Sequence, residues 1–286
     1  MNPQPSEAGT TDDDSVVEEG EESEHTPVSQ EDALRAQLEV GQEELSRPKG
    51  GLALSGLSAG LDIGFGPLFT AALITTAAGV WSEPTLQVAT GLAYSLGFVF
   101  VVLSGSELFT EHTTLAVLPV LNGDATIADL ARLWGVVYCT NLLGGAVFAA
   151  GIVLFGSEYG IVASTAFVRL AESLLSHSVA STLFAAVLAG WLMGLLSWMV
   201  TSVRGSAARI ILVVAITTII GFGHLPHSIA GNVEVFAGLL TSPSITVSDY
   251  ARFLLIATVG NVIGGTIFVS LLKYGFITGG IEEREQ

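Results

Sequence analysis

Asp129-Leu-Ala-Arg132, followed by Asn141-Leu-Leu-Gly-Gly145, returns later in the chain as Asp249-Tyr-Ala-Arg252, followed by Asn261-Val-Ile-Gly-Gly265. Both copies place the Asn 12 residues after the Asp, and both run on alike, as Ala-Val-Phe148 and Thr-Ile-Phe268. Order and spacing kept twice mark an internal repeat. Stepping back 22 residues from each Asp lands on Glu107 and on His227. Each is a polar point inside an apolar tract, and the two tracts, 86–120 and 207–240, are too long for one straight span. A helix crosses the ~30 Å hydrocarbon layer in about 20 residues.

Composition agrees with a membrane setting. Half of the 286 residues are hydrophobic, only 13% are charged, and the mean hydropathy is +0.63. A soluble domain carries about 25% charged residues. The net charge of −17 is concentrated at one end, because 14 of the 27 acids fall within residues 1–46. That segment reads as a solvated, mostly disordered acidic arm. Within it, Ala33, Leu34, Leu38 and Leu45 recur at helical spacing, which predicts a short helix over 29–44 at the membrane surface or between subunits. The N-terminus shows no basic stretch leading into an apolar one, so no cleavable signal peptide is expected. Cys139 stands alone, without a disulfide partner or metal-ligand spacing.

Hydropathy divides the remainder into six spans: 51–80, 86–120 (broken), 130–155, 178–202, 207–240 (broken) and 250–276. Residues 163–175 read as a short amphipathic segment at a surface. With the N-terminus in the cytoplasm, Arg35, Arg47, Lys49, Arg132, Arg204, Arg209, Lys273 and Arg284 fall inside, and only Arg169 and Arg252 outside. That asymmetry predicts a multi-pass plasma-membrane protein with both termini cytoplasmic. Three spans per repeat is an odd number, so the second copy enters the membrane inverted. The expected fold is therefore an all-α membrane protein of six transmembrane helices, built as two inverted three-helix repeats with the second helix of each broken, as in an aquaporin-like fold. The expected organisation is an acidic tail over 1–48, a pore domain over 49–278 and a short acidic tail over 279–286. Inverted repeats with broken helices meeting near the midplane belong to substrate-translocating proteins.

The breaks carry the chemistry. The first is Ser104-Gly-Ser-Glu-Leu-Phe-Thr110, continued by Glu111 and His112; the second is Gly221-Phe-Gly-His-Leu-Pro-His-Ser-Ile-Ala-Gly-Asn232. Pro226 removes a backbone donor and disfavours helix at Leu225. Irregular backbone at membrane depth is tolerated only inside protein or beside a watery cavity, so the two loops are expected to face one another across a pathway. Intramembrane ionisable groups mark function.

These residues resemble a known family. Gly-Ser-Glu-Leu-Phe-Thr at 105–110 is similar to the signature loop of the formate/nitrite transporters, His-Ser-Ile-Ala at 227–230 resembles their second loop, and the two Asn-x-x-Gly-Gly motifs resemble their third and sixth helices. The resemblance covers roughly residues 50–278. It implies an aquaporin-like protomer with its own pore, assembled as a homopentamer in the lipid bilayer and passing small monovalent anions such as formate, nitrite or hydrosulfide. It further implies that His227 and Thr110 face each other in the pore, with Leu108 in the constriction beside Thr110. Phe109 and Ser228 complete the candidate pore set, and His224 is the alternative central histidine. Glu107, Gly105, Asn141 and Asn261 are expected to shape the loops, Glu107 by accepting backbone N–H bonds.

The chain departs from the family pattern at four places. Its second loop is longer, since the family often has Gly-Phe-Glu-His-Ser. Glu111 follows the Thr where a small residue is usual. Gly190 stands where the fourth-helix signature has Asn. The basic residue many members carry before that helix is missing, with Leu174 and His177 nearby. A proton-linked mechanism is expected on physical grounds: a bare anion pays several kcal/mol to enter a dry constriction, protonation of a weak acid removes most of that cost, and His227, as a histidine that titrates near physiological pH, is expected to transfer the proton before the neutral acid passes Leu108.

Gly56-Leu-Ser58-Ala-Gly60 matches Gly-x-Ser-x-Gly on paper, but that motif works on a strand-to-helix turn and here opens an apolar span. An enzyme is not expected. No cofactor, metal or nucleic-acid motif is expected either. The alternatives are a channel for neutral solutes of aquaporin type, although neither break has the Asn-Pro-Ala of such channels, and a non-transporting sensor homologue.

Overall fold

In the computed structural model the described residues are 29–285, and they are helical almost throughout. The acidic arm over 1–28 lies outside the described residues. Its continuation does form a helix, α1 (Gln30–Ser46). Ser29 starts it by accepting from Asp32 N–H. The helix packs on its own protomer: Ala33 and Leu34 join a cluster with Leu118, Trp198 and Val269, and Gln37 donates to Trp198 O at 3.0 Å.

The membrane-embedded part begins with α2 (Lys49–Ile63) and α3 (Phe65–Ala77), which meet at Gly64 and together make one 29-residue apolar rod. Then follow α4 (Glu83–Ser104), the short α5 (Phe109–His112) and α6 (Val117–Asn122), and α7 (Ile127–Gly151), which continues in a π-helical stretch to Gly156. The amphipathic segment expected over 163–175 is α8 (Ser164–Leu175). The second half comprises α9 (Val179–Ser202), α10 (Ser206–Phe222), α11 (Ser228–Thr241) and α12 (Val247–Gly265), with a π-helical stretch leading into α13 (Leu272–Glu285). Five helical rods are long and apolar enough to cross a membrane; α10 and α11, each shorter, form the broken tract between the fourth and fifth.

The repeat is visible in local chemistry. α7 and α12 open with the same capping box: Thr126 and Thr246 each donate to the carboxylate three residues on, at 2.6 and 2.7 Å, and accept its backbone N–H at 3.2 Å. Each Thr thereby satisfies a donor that the helix start leaves orphaned, and the Asp carboxylate accepts from the Thr backbone N–H in return. The Thr hydrogen bonds hold both carboxyls below the usual carboxylate range. Arg132 reaches the C-terminal end of α1, donating to the carbonyls of Leu45 and Arg47. Carbonyls at a helix C-terminus attract cations.

Two helix crossings match as well. α2 lies against α7, and α9 against α12. At the first, a Cβ on Gly60 would sit 2.3 Å from Asn141 O; at the second, a Cβ on Gly190 would sit 2.2 Å from Asn261 O. Gly190 is therefore the counterpart of Gly60, a position where backbone meets backbone and no side chain fits.

Candidate functional site

Both breaks are built by the same device. Asn141 accepts from Phe109 N–H at 2.8 Å while its amide donates to Glu107 O at 2.9 Å and Gly56 O at 2.8 Å. Asn261 accepts from Ser228 N–H at 2.8 Å while donating to Pro226 O and Ala186 O, both at 2.9 Å. Loop backbone freed from helix is thus re-bonded by a buried amide, as it must be where water is scarce. Gly105 ends α4 at φ 66°, a conformation glycine adopts without Cβ strain.

These bonds also correct the register of the repeat. The 22-residue step pairs Glu107 with His227, but the hydrogen bonding pairs Glu107 with Pro226 and Leu108 with His227. Leu108 and His227 have nearly identical backbones, φ −103° with ψ 124° and 121°, and each precedes the first turn of its helix.

The loops meet at their tips. His227 Nε2 lies 2.8 Å from Thr110 Oγ1, and the two residues are 1% and 0% exposed. His227 Nδ1 accepts from Ala230 N–H at 3.1 Å, so the imidazole caps α11. An accepting Nδ1 carries no proton, which places the ring proton on Nε2 and makes His227 the donor to Thr110. The Thr110 hydroxyl proton remains free to point elsewhere. Ser228 Oγ beside them is buried with no hydrogen-bond partner among the described residues. Phe98 packs edge-on against the imidazole, centroids 5.1 Å apart, and Tyr94 lies tilted against Phe98 at 5.4 Å. Leu108 is fully buried. Phe109 turns away from this centre and packs on Trp134 and Tyr138 of α7.

A polar mouth borders each of the two loops. The first is a cavity of about 150 Å³ lined by Glu44, Glu107, Glu111 and His112 among others. The Glu107 carboxylate does not hold loop amides: it binds Arg47 through one oxygen and His112 through the other. Arg47 also reaches Glu44 at 3.0 Å, so α1 is latched to the loop through an ionic hub. Burial, with the Glu107 carboxylate beside it, pushes Glu44 up to about 7. Donor atoms of Glu44, Glu107 and His112 lie within 4.8 Å of one another, but the Arg47 guanidinium occupies both carboxylates, and a metal ion would have to displace it.

The second mouth surrounds His224, whose φ of 46° is unusual for a residue with a side chain. His224 does not touch Thr110. It borders a cavity of about 320 Å³ with Glu83 and Arg169, one of about 240 Å³ with His177, and a small one with Tyr94 and Glu234. Phe98 and Glu234 escaped sequence reasoning. Phe98 is one aromatic in an apolar helix and carries no distinguishing signal. Glu234 does carry one, as the single acid between Arg209 and Asp249.

Comparison with known proteins follows the same lines. The family profile described as "Formate/nitrite transporter" matches residues 31–275. The inner membrane protein YfdC of Escherichia coli is 29% identical over 86% of this chain and 78% of its own length. The formate channel FocA of Haemophilus influenzae is 28% identical over 77% of this chain and 84% of its own. A solved structure titled a pentameric formate channel with formate bound superposes with a TM-score of 0.71 at 23% identity, covering 80% of this chain and 98% of that one.

Proposed function

This chain belongs to the formate/nitrite transporter family, and on that premise we propose that it carries small monovalent anions of weak acids across the plasma membrane, with His227 as the central polar group. The family is one of channels and transporters, and the fold is an all-α membrane fold of that kind. The observation that carries the proposal is the buried His227–Thr110 contact at the meeting point of two broken helices, with an ionisable mouth beside each loop.

In this reading an anion entering from a mouth meets the His227 Nε2–H, the Thr110 hydroxyl and the unpartnered Ser228 hydroxyl, three donors that replace part of its lost hydration. Phe98 and Leu108 form the dry walls that make the charge costly. The acid therefore crosses best as a neutral molecule, and flux follows pH. Six spans in two inverted halves, cytoplasmic termini, a pore domain over 49–278 flanked by the two tails, and assembly as a homopentamer complete the proposal. The matched caps and crossings, the distribution of basic residues and the pentameric relative support these parts.

The test is uptake of formate, nitrite and hydrosulfide into proteoliposomes at pH 5 and 7.5, with glycerol as a neutral control. His227→Asn keeps a cap acceptor for Ala230 but cannot reach Thr110. It should stay folded and lose anion uptake. Equal rates for wild type and variant at both pH values would remove His227 from the mechanism, and glycerol flux indifferent to pH would favour a neutral-solute channel.

A further inference from the structure

Proton-linked flux needs a proton donor, and the geometry of His227 makes it a poor one. Its Nδ1 is committed to the Ala230 N–H, leaving Nε2–H as the one ring proton. Giving that proton away would create an imidazolate, and picking up a second would break the helix cap. The donor must be sought elsewhere in the membrane interior.

Glu234 is placed for it. It lies on α11 seven residues after His227, and a seven-residue step returns to the same helix face about 10 Å further along. The residue is 7% exposed. Among the described residues no hydrogen bond or ion pair engages its carboxyl group, in contrast to Glu107, which is held from both sides. It borders a cavity of about 10 Å³, room for about one water, together with Tyr94, Leu225 and His224. His224 and Thr90 also border the 320 Å³ cavity of the second mouth, so the two spaces share walls. Toward the centre, Tyr94 packs at a tilt against Phe98, and Phe98 edge-on against His227.

We propose that Glu234 is the proton-donating residue of the second mouth. Its carboxylic acid transfers a proton to an arriving weak-acid anion, and the neutral acid passes Phe98 to reach His227 and Thr110. This inference rests on the weak-acid transport reading above. In the step, the Glu234 O–H bond breaks and an O–H bond forms on the anion. The carboxylate left behind is reprotonated by water in the mouth, and the transported acid releases its proton to water on the far side. One proton moves with each anion. Tyr94 and Glu83 from α4, His224 from the break, Arg169 and Glu172 from α8, and His177 just beyond α8 are the titratable and charged groups on that side. Tyr250 of α12 is bonded to Asn232, while the adjoining α3 contributes no ionisable residue. An ionised Glu234 without a cation would repel the substrate, so the site works only in its protonated form.

The test uses full-length wild type, Glu234→Gln and Glu234→Asp in proteoliposomes, with formate uptake and a lumenal pH dye read together from pH 5 to 8. Glu234→Gln should lose roughly tenfold or more of its uptake at the alkaline end, less at pH 5, and shift the pH profile. Glu234→Asp should recover part of the rate and the proton signal. A Glu234→Gln profile that superimposes on wild type overturns the inference while leaving the transport reading intact. Wild type that moves no weak acid at any pH overturns both. Infrared spectra of wild-type membranes supply an independent readout. A protonated-carboxyl band at neutral pH, absent from Glu234→Gln, is expected, and its absence from wild type refutes the donor role.

Discussion

Asn141 and Asn261 are the best places to test whether the two loops hold the site. Each side chain makes three hydrogen bonds to backbone and is 0% exposed. Truncating Asn261 to Ala strands Ser228 N–H and Pro226 O, because neither has a helical partner; Ala186 O keeps its place in α9 and loses less. A stranded buried group costs about 1–3 kcal/mol, whereas hydrogen bonds between membrane helices average ~0.6 kcal/mol because the unfolded reference also finds partners. Two full losses and one partial loss therefore amount to roughly 2–4 kcal/mol. For a chain of this size that lowers the melting temperature by about 5–15 °C. Thermal unfolding of purified protein in detergent measures it. Asn141→Ala should fall in the same range, since its bond set is the same, and Asn→Asp at either site should lie between, keeping the acceptor and losing two donors. A melting temperature within about 2 °C of wild type for both Ala variants would refute the reasoning, because the loops would then be held by something else.

Gly190→Ala should destabilise by about 1–3 kcal/mol, an overpacking cost, because the added Cβ meets the carbonyl of Asn261, which is backbone and cannot turn aside. Gly190→Asn, which restores the family residue, should be worse in the same melting assay and should not raise flux. Docking of α1 should depend on pH through Glu44. Its carboxyl is raised in the folded protein to about 7, so its contribution is complete below the unfolded value of about 4.3 and is lost as pH climbs through 7. Hydrogen exchange over 30–46 should quicken across that window, and Glu44→Gln should abolish the change. Glu107→Gln should loosen the same helix at every pH by weakening its hold on Arg47, read as faster proteolysis near residues 46–48.

Much of this was legible because the membrane makes polar residues conspicuous. The loops, the buried Asn pair and the central histidine each interrupt an apolar run, and the repeated spacing ties them together. The docking of α1 was legible only as periodicity, because its partners Trp198 O and Leu118 are far away in sequence. Glu107 was conspicuous for its charge, yet its carboxylate serves Arg47 and His112, while the loop amide is held by Asn141. Phe98 could not be found, since an aromatic that packs on the central histidine reads in the sequence like any other in an apolar helix. Glu234 was available as the lone acid of its tract, but lies a full two turns beyond the break that drew attention.

The corrected register explains why the two loops are not interchangeable. With Leu108 matched to His227, the next positions pair Phe109 with Ser228 and Thr110 with Ile229. At each of the three positions one copy is polar and the other apolar. A symmetric pair of histidine loops would put two imidazoles in one dry centre, each needing a partner for its ring proton. A symmetric pair of leucine loops would leave two threonine hydroxyls and no imidazole N–H at the centre. Divergence of the copies solves both problems, because Thr110 from one loop accepts the proton of His227 from the other. Swapping the pair, with Thr110→Ile and Ile229→Thr together, should therefore strand the imidazole Nε2–H and abolish anion uptake even where the fold survives, whereas Thr110→Ser should retain it. Uptake by the double variant equal to wild type would show that the partnership is incidental.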